Sequence, residues 1–114
     1  MTDLYGIKNC GTVKRALNWL DDQGIDYHFH DYKKEGVDEK QLRAWVRELG
    51  WEALLNRRGT TWRRLSDAQK ESIDEHNAIS IMLDNPSIIK RPLLISGKKK
   101  MLGFDEQEYV EFFA

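Results

Sequence analysis

The chain has a single cysteine, Cys10. No internal disulfide can form, and a redox cycle between two thiols of the same chain is excluded. One unpaired cysteine suits a reducing compartment, so the cytoplasm is the expected location. Long hydrophobic runs are missing as well, and nothing approaches the ~18 apolar residues of a membrane span. The N-terminal MTDLYGIKNC has no basic stretch followed by an apolar one, so no secretory signal is expected. An excess of one charge is also absent. Eighteen Lys and Arg stand against nineteen Asp and Glu, which argues against a nucleic-acid binder held by bulk charge. There is no glycine-rich phosphate loop and no zinc signature. His28 and His30 lack acidic or cysteine partners at ligand spacing, so no metal site is expected. Repeats, low-complexity tracts and linkers do not occur.

What remains is 114 residues, 40% hydrophobic and 32% charged. That is the profile of one soluble globular domain long enough to bury a core. Nothing in it demands more than a monomer. Residues 3–7 form a short apolar run that reads as a strand. Val13, Ala16, Leu17 and Leu20 then repeat at helical spacing, and Gly24 fits the stop of a helix over 12–23. In 26–32, Tyr27, Phe29 and Asp31 alternate with His28 and His30, which predicts a second strand. Strand, helix and strand this close together predict a right-handed βαβ unit with parallel strands.

The middle reads as helical. Asp38 with Gln41 resembles a capping box ahead of Leu42, Trp45, Val46 and Leu49. Gly50 breaks that helix, and Ala53–Leu55 form a short apolar piece. Asn56 to Thr61 reads as a basic loop. Ser66 with Gln69 opens a helix predicted to run to about His76, and Ile79, Met82 and Leu83 predict another that ends at Asn85-Pro86. Toward the C-terminus, 92–95 and 99–103 read as an antiparallel pair about Ser96-Gly97. Asp105 with Glu108 caps a closing helix whose apolar side is assigned to Val110, Phe112 and Phe113.

Cys10 lies between a predicted strand and a predicted helix. A thiolate there faces the positive helix end and its orphan N–H groups, which lowers a thiol pKa and makes the sulfur nucleophilic. The competing reading is a buried, inert cysteine. Val13 stands three residues on, so there is no Cys-x-x-Cys pair. Any adduct of Cys10 must be resolved by an outside thiol, from glutathione or another protein. Arg91-Pro92 opens a strand and could hold an anion beside a cis proline, although most X-Pro bonds are trans. Asn56 to Arg64 carries four positive charges and no acid, and Lys90 to Lys100 carries five and no acid. Each stretch could frame an anion site or be a solvated surface. Trp19, Trp45, Trp51 and Trp62 read as core or rim residues, and Trp62, beside the basic loop, could line a pocket.

Three segments together, YGIKNCGTVKRALNWL, LLNRRGTTWRRL and NPSIIKRPLLI…KKKMLGFDEQEY, resemble the arsenate reductase (ArsC)/Spx family, in its YffB-type branch, over essentially the whole chain. The resemblance implies an α/β thioredoxin-like fold, β-α-β then β-β-α, with a central helical insertion. Its core would take 1–35 and 88–114, and the insertion 36–87. The family's nucleophile falls on Cys10, and Gly11 and Thr12 match the arsenate reductases' Cys-Gly-Thr. Asn9 joins them as a binding residue. The central-loop arginine falls on Arg57 or Arg58, with Arg58 favoured because it precedes Gly-Thr-Thr-Trp. The arginine and cis-proline pair falls on Arg91 and Pro92. Two departures follow. Phe104 stands where arsenate reductases carry a further arginine, and Val13 replaces the second cysteine of the Spx redox switch.

The expectation is therefore a glutathione-dependent thiol reductase. It uses glutathione as reducing co-substrate and holds no bound cofactor. Its partners are glutathione and a thiol, disulfide or oxyanion substrate, with no direct contact to nucleic acid or membrane. The alternatives are a regulator that docks on RNA polymerase without catalysis, and a residual arsenate reductase.

Overall fold

The computed structural model describes all residues, Met1–Ala114. The chain divides into two compact units, one of 1–35 with 91–114 and the other of 36–90.

The first unit holds strands β1 (Thr2–Gly6) and β2 (His28–Asp31), with helices α1 (Gly11–Asp22) and α2 (Tyr32–Glu35) in the N-terminal part. β1 alternates buried and half-buried residues, as a strand with two unlike faces must. α1 buries Val13, Ala16, Trp19 and Leu20 along one stripe. Gly24, at φ +68°, turns the chain out of the helix in a conformation that side chains disfavour. β2 pairs with β1 in parallel, with Tyr5 opposite His30 and Gly6 opposite Asp31. It is shorter than the sequence predicts and excludes Tyr27. It also ends early, because Asp31 Oδ1 accepts from Lys33 N–H at 2.9 Å and Glu35 Oε2 from Asp31 N–H at 3.0 Å. Those two bonds turn the chain directly into α2, which the alternating pattern did not reveal.

The same unit is completed by β3 (Leu93–Ser96), β4 (Lys99–Leu102) and the C-terminal helix Glu106–Phe113. β3 is antiparallel to both β1 and β4, and the sheet order is β2-β1-β3-β4. Leu4, Val13, Ala16, Trp19, Leu20, Leu94, Tyr109 and Phe112 form the core on one face. Trp19 meets Tyr109 edge-on, with ring centroids 5.5 Å apart. The apolar side of the closing helix is therefore Tyr109 and Phe112, three residues apart. Val110 lies off that stripe and is 48% exposed, contrary to its predicted place. On the opposite face, Tyr5 stacks on His30 at 4.3 Å and on Tyr32 at 6.4 Å.

The second unit contains α3 (Glu39–Leu49), α4 (Trp51–Leu54), α5 (Thr60–Arg63), α6 (Asp67–Glu71) and α7 (Glu75–Asp84), then a 3₁₀ turn at Pro86–Ile88; the closing helix is accordingly α8. α3, α4 and α7 lie against one another, burying Leu42, Trp45, Val46, Leu54, Ile79 and Met82. Asp38 caps α3 through Gln41 N–H, and Ser66 with Gln69 makes a reciprocal capping box. The helix predicted from Ser66 to His76 is in fact two. α6 buries nothing, so no packing carries it onward. Ser72 Oγ bonds back to Ala68 O at 2.8 Å, and Asp74 starts α7 by accepting from Asn77 N–H at 2.8 Å. The backbone bonds Asn56 N–H to Ile88 O and Lys90 N–H to Leu54 O tie the end of this unit to α4.

Candidate active site

The strand directions decide what meets at one edge of the sheet. β1, β2 and β4 run parallel to one another and β3 runs against them. The loop after β1, the start of α2, the residues before β3 and those after β4 therefore share an edge. These are Cys10, Tyr32, Arg91-Pro92 and Gly103-Phe104.

Cys10 is the N-cap residue of α1, with extended backbone at φ −116° and ψ 125°. Its carbonyl accepts the first helical bond, from Lys14 N–H at 2.9 Å. N-cap positions usually place a side-chain oxygen under the N–H groups two and three residues on. Here a sulfur stands at that position, without forming a side-chain cap hydrogen bond. Burial alone pushes the half-buried thiol up, but the Val13 N–H, the Arg91 side chain and the Thr12 N–H all favour the thiolate. With the Arg91 charge added, they bring the pKa below its ordinary value.

Gly6 makes this approach possible. A Cβ on Gly6 would lie 2.8 Å from Val13 Cγ2 and 3.7 Å from Arg91 Cβ. The bare backbone lets α1 and Arg91 close over the end of β1. A glycine ending a strand was the available sequence signal for this, and residue-type reasoning passed over it.

The other predicted residues of this unit have distinct places. The Arg91-Pro92 bond is cis. Pro92 is buried, and its carbonyl accepts from Gly103 N–H at 2.8 Å. One lone pair of that carbonyl is thus already used. Thr12 Oγ1 accepts from Arg15 Nη2 at 3.3 Å, so Thr12 serves the sulfur through its backbone. Gly11 and Asn9 are exposed beside Cys10. Phe104 packs edge-on against Tyr109 at 4.7 Å and joins the core rim. The position where the resemblance implies a further arginine is thus filled by apolar packing.

In the helical unit the basic loop separates its two arginines. Arg57 lies over the rings of Trp51 and Trp62, 5.5 Å from each centroid. Arg58 is held through its backbone: its N–H donates to Asn56 Oδ1, and its carbonyl accepts from Arg63 Nη2, both at 3.0 Å. The Arg58 side chain itself is exposed. Trp62 is engaged by two cations, since Lys70 Nζ also lies 5.8 Å from its centroid. No group of three or more His, Cys, Asp or Glu side chains is placed to hold a metal ion. No helix is long and apolar enough to cross a membrane.

Comparison with known proteins agrees with this architecture. The solved structure of a YffB protein is 48% identical, covers both chains completely and superposes with a TM-score of 0.95. An arsenate reductase (ArsC) related protein from Brucella melitensis is 47% identical over 98% of this chain and 93% of its own, with a TM-score of 0.80. The global transcriptional regulator Spx of Staphylococcus aureus is 25% identical over 98% of this chain and 86% of its own. A glutaredoxin from Archaeoglobus fulgidus, 16% identical over 98% of this chain and 84% of its own, shares the fold alone at a TM-score of 0.51. The ArsC family pattern matches residues 5–112, and the chain belongs to the ArsC family, with its thioredoxin-like fold.

Proposed function

We propose that this protein is a glutathione-dependent thiol reductase working through Cys10. The observation that carries the reading is the thiol at the α1 N-cap, lowered by two backbone N–H groups and the Arg91 guanidinium. In the first step the Cys10 thiolate attacks the glutathione sulfur of a glutathionylated substrate. An Sγ–S bond forms, the substrate's S–S bond breaks, and the departing thiolate takes a proton from water. In the second step a glutathione thiolate attacks the Cys10 mixed disulfide, releasing oxidised glutathione and returning the Cys10 thiolate. The chain holds no second thiol, so both electrons come from outside it. Arg91 favours the Cys10 thiolate before the first step and as the leaving group of the second. For Arg58 the anion-holding role rests on the family resemblance and on its exposed guanidinium.

Phe104, packed on Tyr109, offers no charge to an oxyanion, which weighs against arsenate as the substrate. A regulator that docks on RNA polymerase is the second reading. It is favoured by the likeness to Spx and disfavoured by Val13 in place of a second cysteine. The test is turnover of a glutathionylated peptide with glutathione, by the wild type and by Cys10→Ser. Wild-type turnover, a glutathione adduct on Cys10 by mass spectrometry and an inert variant are expected. Turnover retained by Cys10→Ser would remove this mechanism. A wild type that is inert toward the substrate, yet retains polymerase subunits from an extract, would put the second reading first.

A further inference from the structure

The first unit carries a cleft that the thiol chemistry above does not use. It is open to solvent, has a volume of about 260 Å³ and is lined by Lys8, Leu17, Phe29, Asp31, Lys34 and Glu35. Small-molecule pockets take about 300–1,000 Å³, so this one suits a side chain or two rather than a cofactor. It lies on the face of the sheet that α1 covers. Phe29 and Asp31 pair with Leu4 and Gly6 of β1, and Cys10, Leu17 and Phe29 pack against the same core cluster. Lys8 precedes Cys10 by two residues, which holds their Cα atoms at most about 7.6 Å apart.

The polar groups of the cleft are not equivalent. Asp31 Oδ1 accepts from Lys33 N–H, Glu35 Oε2 accepts from Asp31 N–H, and Glu35 Oε1 lies 3.5 Å from His30 Nδ1. These carboxylates are committed to the turn into α2. Lys8 and Lys34 are exposed, and neither makes a hydrogen bond or ion pair through its side chain within the chain. Leu17 and Phe29, both half-buried, are the apolar floor. The free chemistry is two ammonium groups, donors only, over apolar surface. It matches a ligand that carries an apolar side chain with a carboxylate close by.

The exchange reaction says where such a ligand comes from. When Cys10 attacks the glutathione sulfur, three sulfurs align, and the departing sulfur stands two S–S lengths, about 4 Å, beyond Sγ. The peptide that carries it then rests on the surface around Cys10. At about 3.3 Å per residue, an extended chain covers the separation of Cys10 and Lys8 in two residues.

We propose that the cleft between α1 and β2–α2 holds the peptide side of the substrate, with an apolar residue on Leu17 and Phe29 and an acidic side chain between Lys8 and Lys34, both within two residues of the modified cysteine. The proposal rests on the Cys10 reading above and gives its substrate class: a glutathionylated cysteine in an acidic, apolar stretch of protein.

The test has two arms. In the first, the wild type and Lys8→Gln/Lys34→Gln each receive three glutathionylated peptides, acetylated and amidated: Glu-Leu-Cys-Leu-Glu, Lys-Leu-Cys-Leu-Lys and Glu-Ser-Cys-Ser-Glu. Each is symmetric about its cysteine, so both directions of docking are covered. The glutathione adduct on Cys10 is timed in a single turnover by mass spectrometry. Each rate is divided by that of the same peptide with a free small thiol, which removes differences in the peptides' own reactivity. Comparing peptides on one protein cancels any change in Cys10. On the wild type the first peptide should react about fivefold to tenfold faster than the second, as two exposed ion pairs would give. It should also outpace the third about threefold to tenfold, through the apolar contact. On the variant the acidic preference should fall below about twofold. Absence of either preference in the wild type, or an acidic preference that survives in the variant, overturns the proposal.

The second arm needs no reaction. The serine analogue Glu-Leu-Ser-Leu-Glu is titrated into the wild type and followed by NMR. Amide shift changes at Lys8, Leu17, Phe29 and Lys34 are expected, and their loss in the variant. Changes confined to other residues overturn the proposal, as do changes at these four with S-methylglutathione and none with the peptide, which would give the cleft to glutathione. A wild type whose Cys10 never takes up glutathione defeats the proposed function, and the titration then decides the cleft by itself.

Discussion

Gly6→Ala tests how the site is assembled. The added Cβ would lie 2.8 Å from Val13 Cγ2, closer than carbon atoms approach in packed cores. Val13 is fully buried and β-branched, so it has no flexible end to swing aside. Overpacking of this kind costs about 1–3 kcal/mol. The backbone at Gly6 is not in the left-handed region, so alanine also narrows the unfolded ensemble, a gain of about 0.4–1 kcal/mol. The net expectation is a loss of about 1–2 kcal/mol, roughly 5–10 °C in melting temperature for a small domain. Urea unfolding with unchanged m-value is the assay. Movement of Val13 should also carry its N–H away from the sulfur and raise the Cys10 pKa. In a Val13→Ala background both methyl groups are gone, and Gly6→Ala should then cost nearly nothing. A Gly6→Ala protein at least as stable as the wild type, or an equal cost in both backgrounds, would refute the reasoning.

Two further predictions follow from the geometry. Arg91→Met removes the guanidinium that favours the thiolate, so the midpoint of the iodoacetamide alkylation profile should move up toward the ordinary thiol value, about 8.5; an unmoved midpoint would show that the α1 N–H groups suffice. The native thiol lies below its unfolded value, so its contribution to stability is complete above the unfolded pKa and is lost as the pH falls through the native one. Wild type minus Cys10→Ala stability, measured across that window, should therefore rise with pH. Asp74→Ala removes the cap of α7 and should cost about 1 kcal/mol in urea unfolding, whereas Asp74→Asn should keep most of it.

The elements that were legible in the sequence are those whose signal is local. α1 shows itself by four apolar residues at helical spacing and a glycine beyond them. Asp38, Ser66 and Asp105 mark their helices because a cap needs only an acceptor and the next turn's N–H groups. Local signals fail where two of them compete. Asp74 lies only eight residues after Ser66, and a single run of helix formers hid both the break at Ser72 and the second cap. Val110 looked apolar enough to face inward, but Tyr109 and Phe112 took the stripe against Trp19 and the sheet. The turn into α2 depends on Asp31 and Glu35 bonding across the strand end, which no alternation pattern encodes.

By itself the sequence determined that one thiol exists, that it stands between a strand and a helix, and that its resolving partner must come from elsewhere. These are matters of count and order along the chain. The tertiary structure alone decided how acidic that thiol becomes. Arg91 reaches Cys10 from eighty-one positions away because β3 runs against β1 and starts where β1 ends, and because Gly6 leaves room there. The cleft beside Cys10 is of the same kind. Lys8, Leu17, Phe29 and Lys34 line one space only when β2 pairs with β1 and α1 packs over the two strands, and which ammonium groups stay unpaired depends on neighbours that only folding supplies.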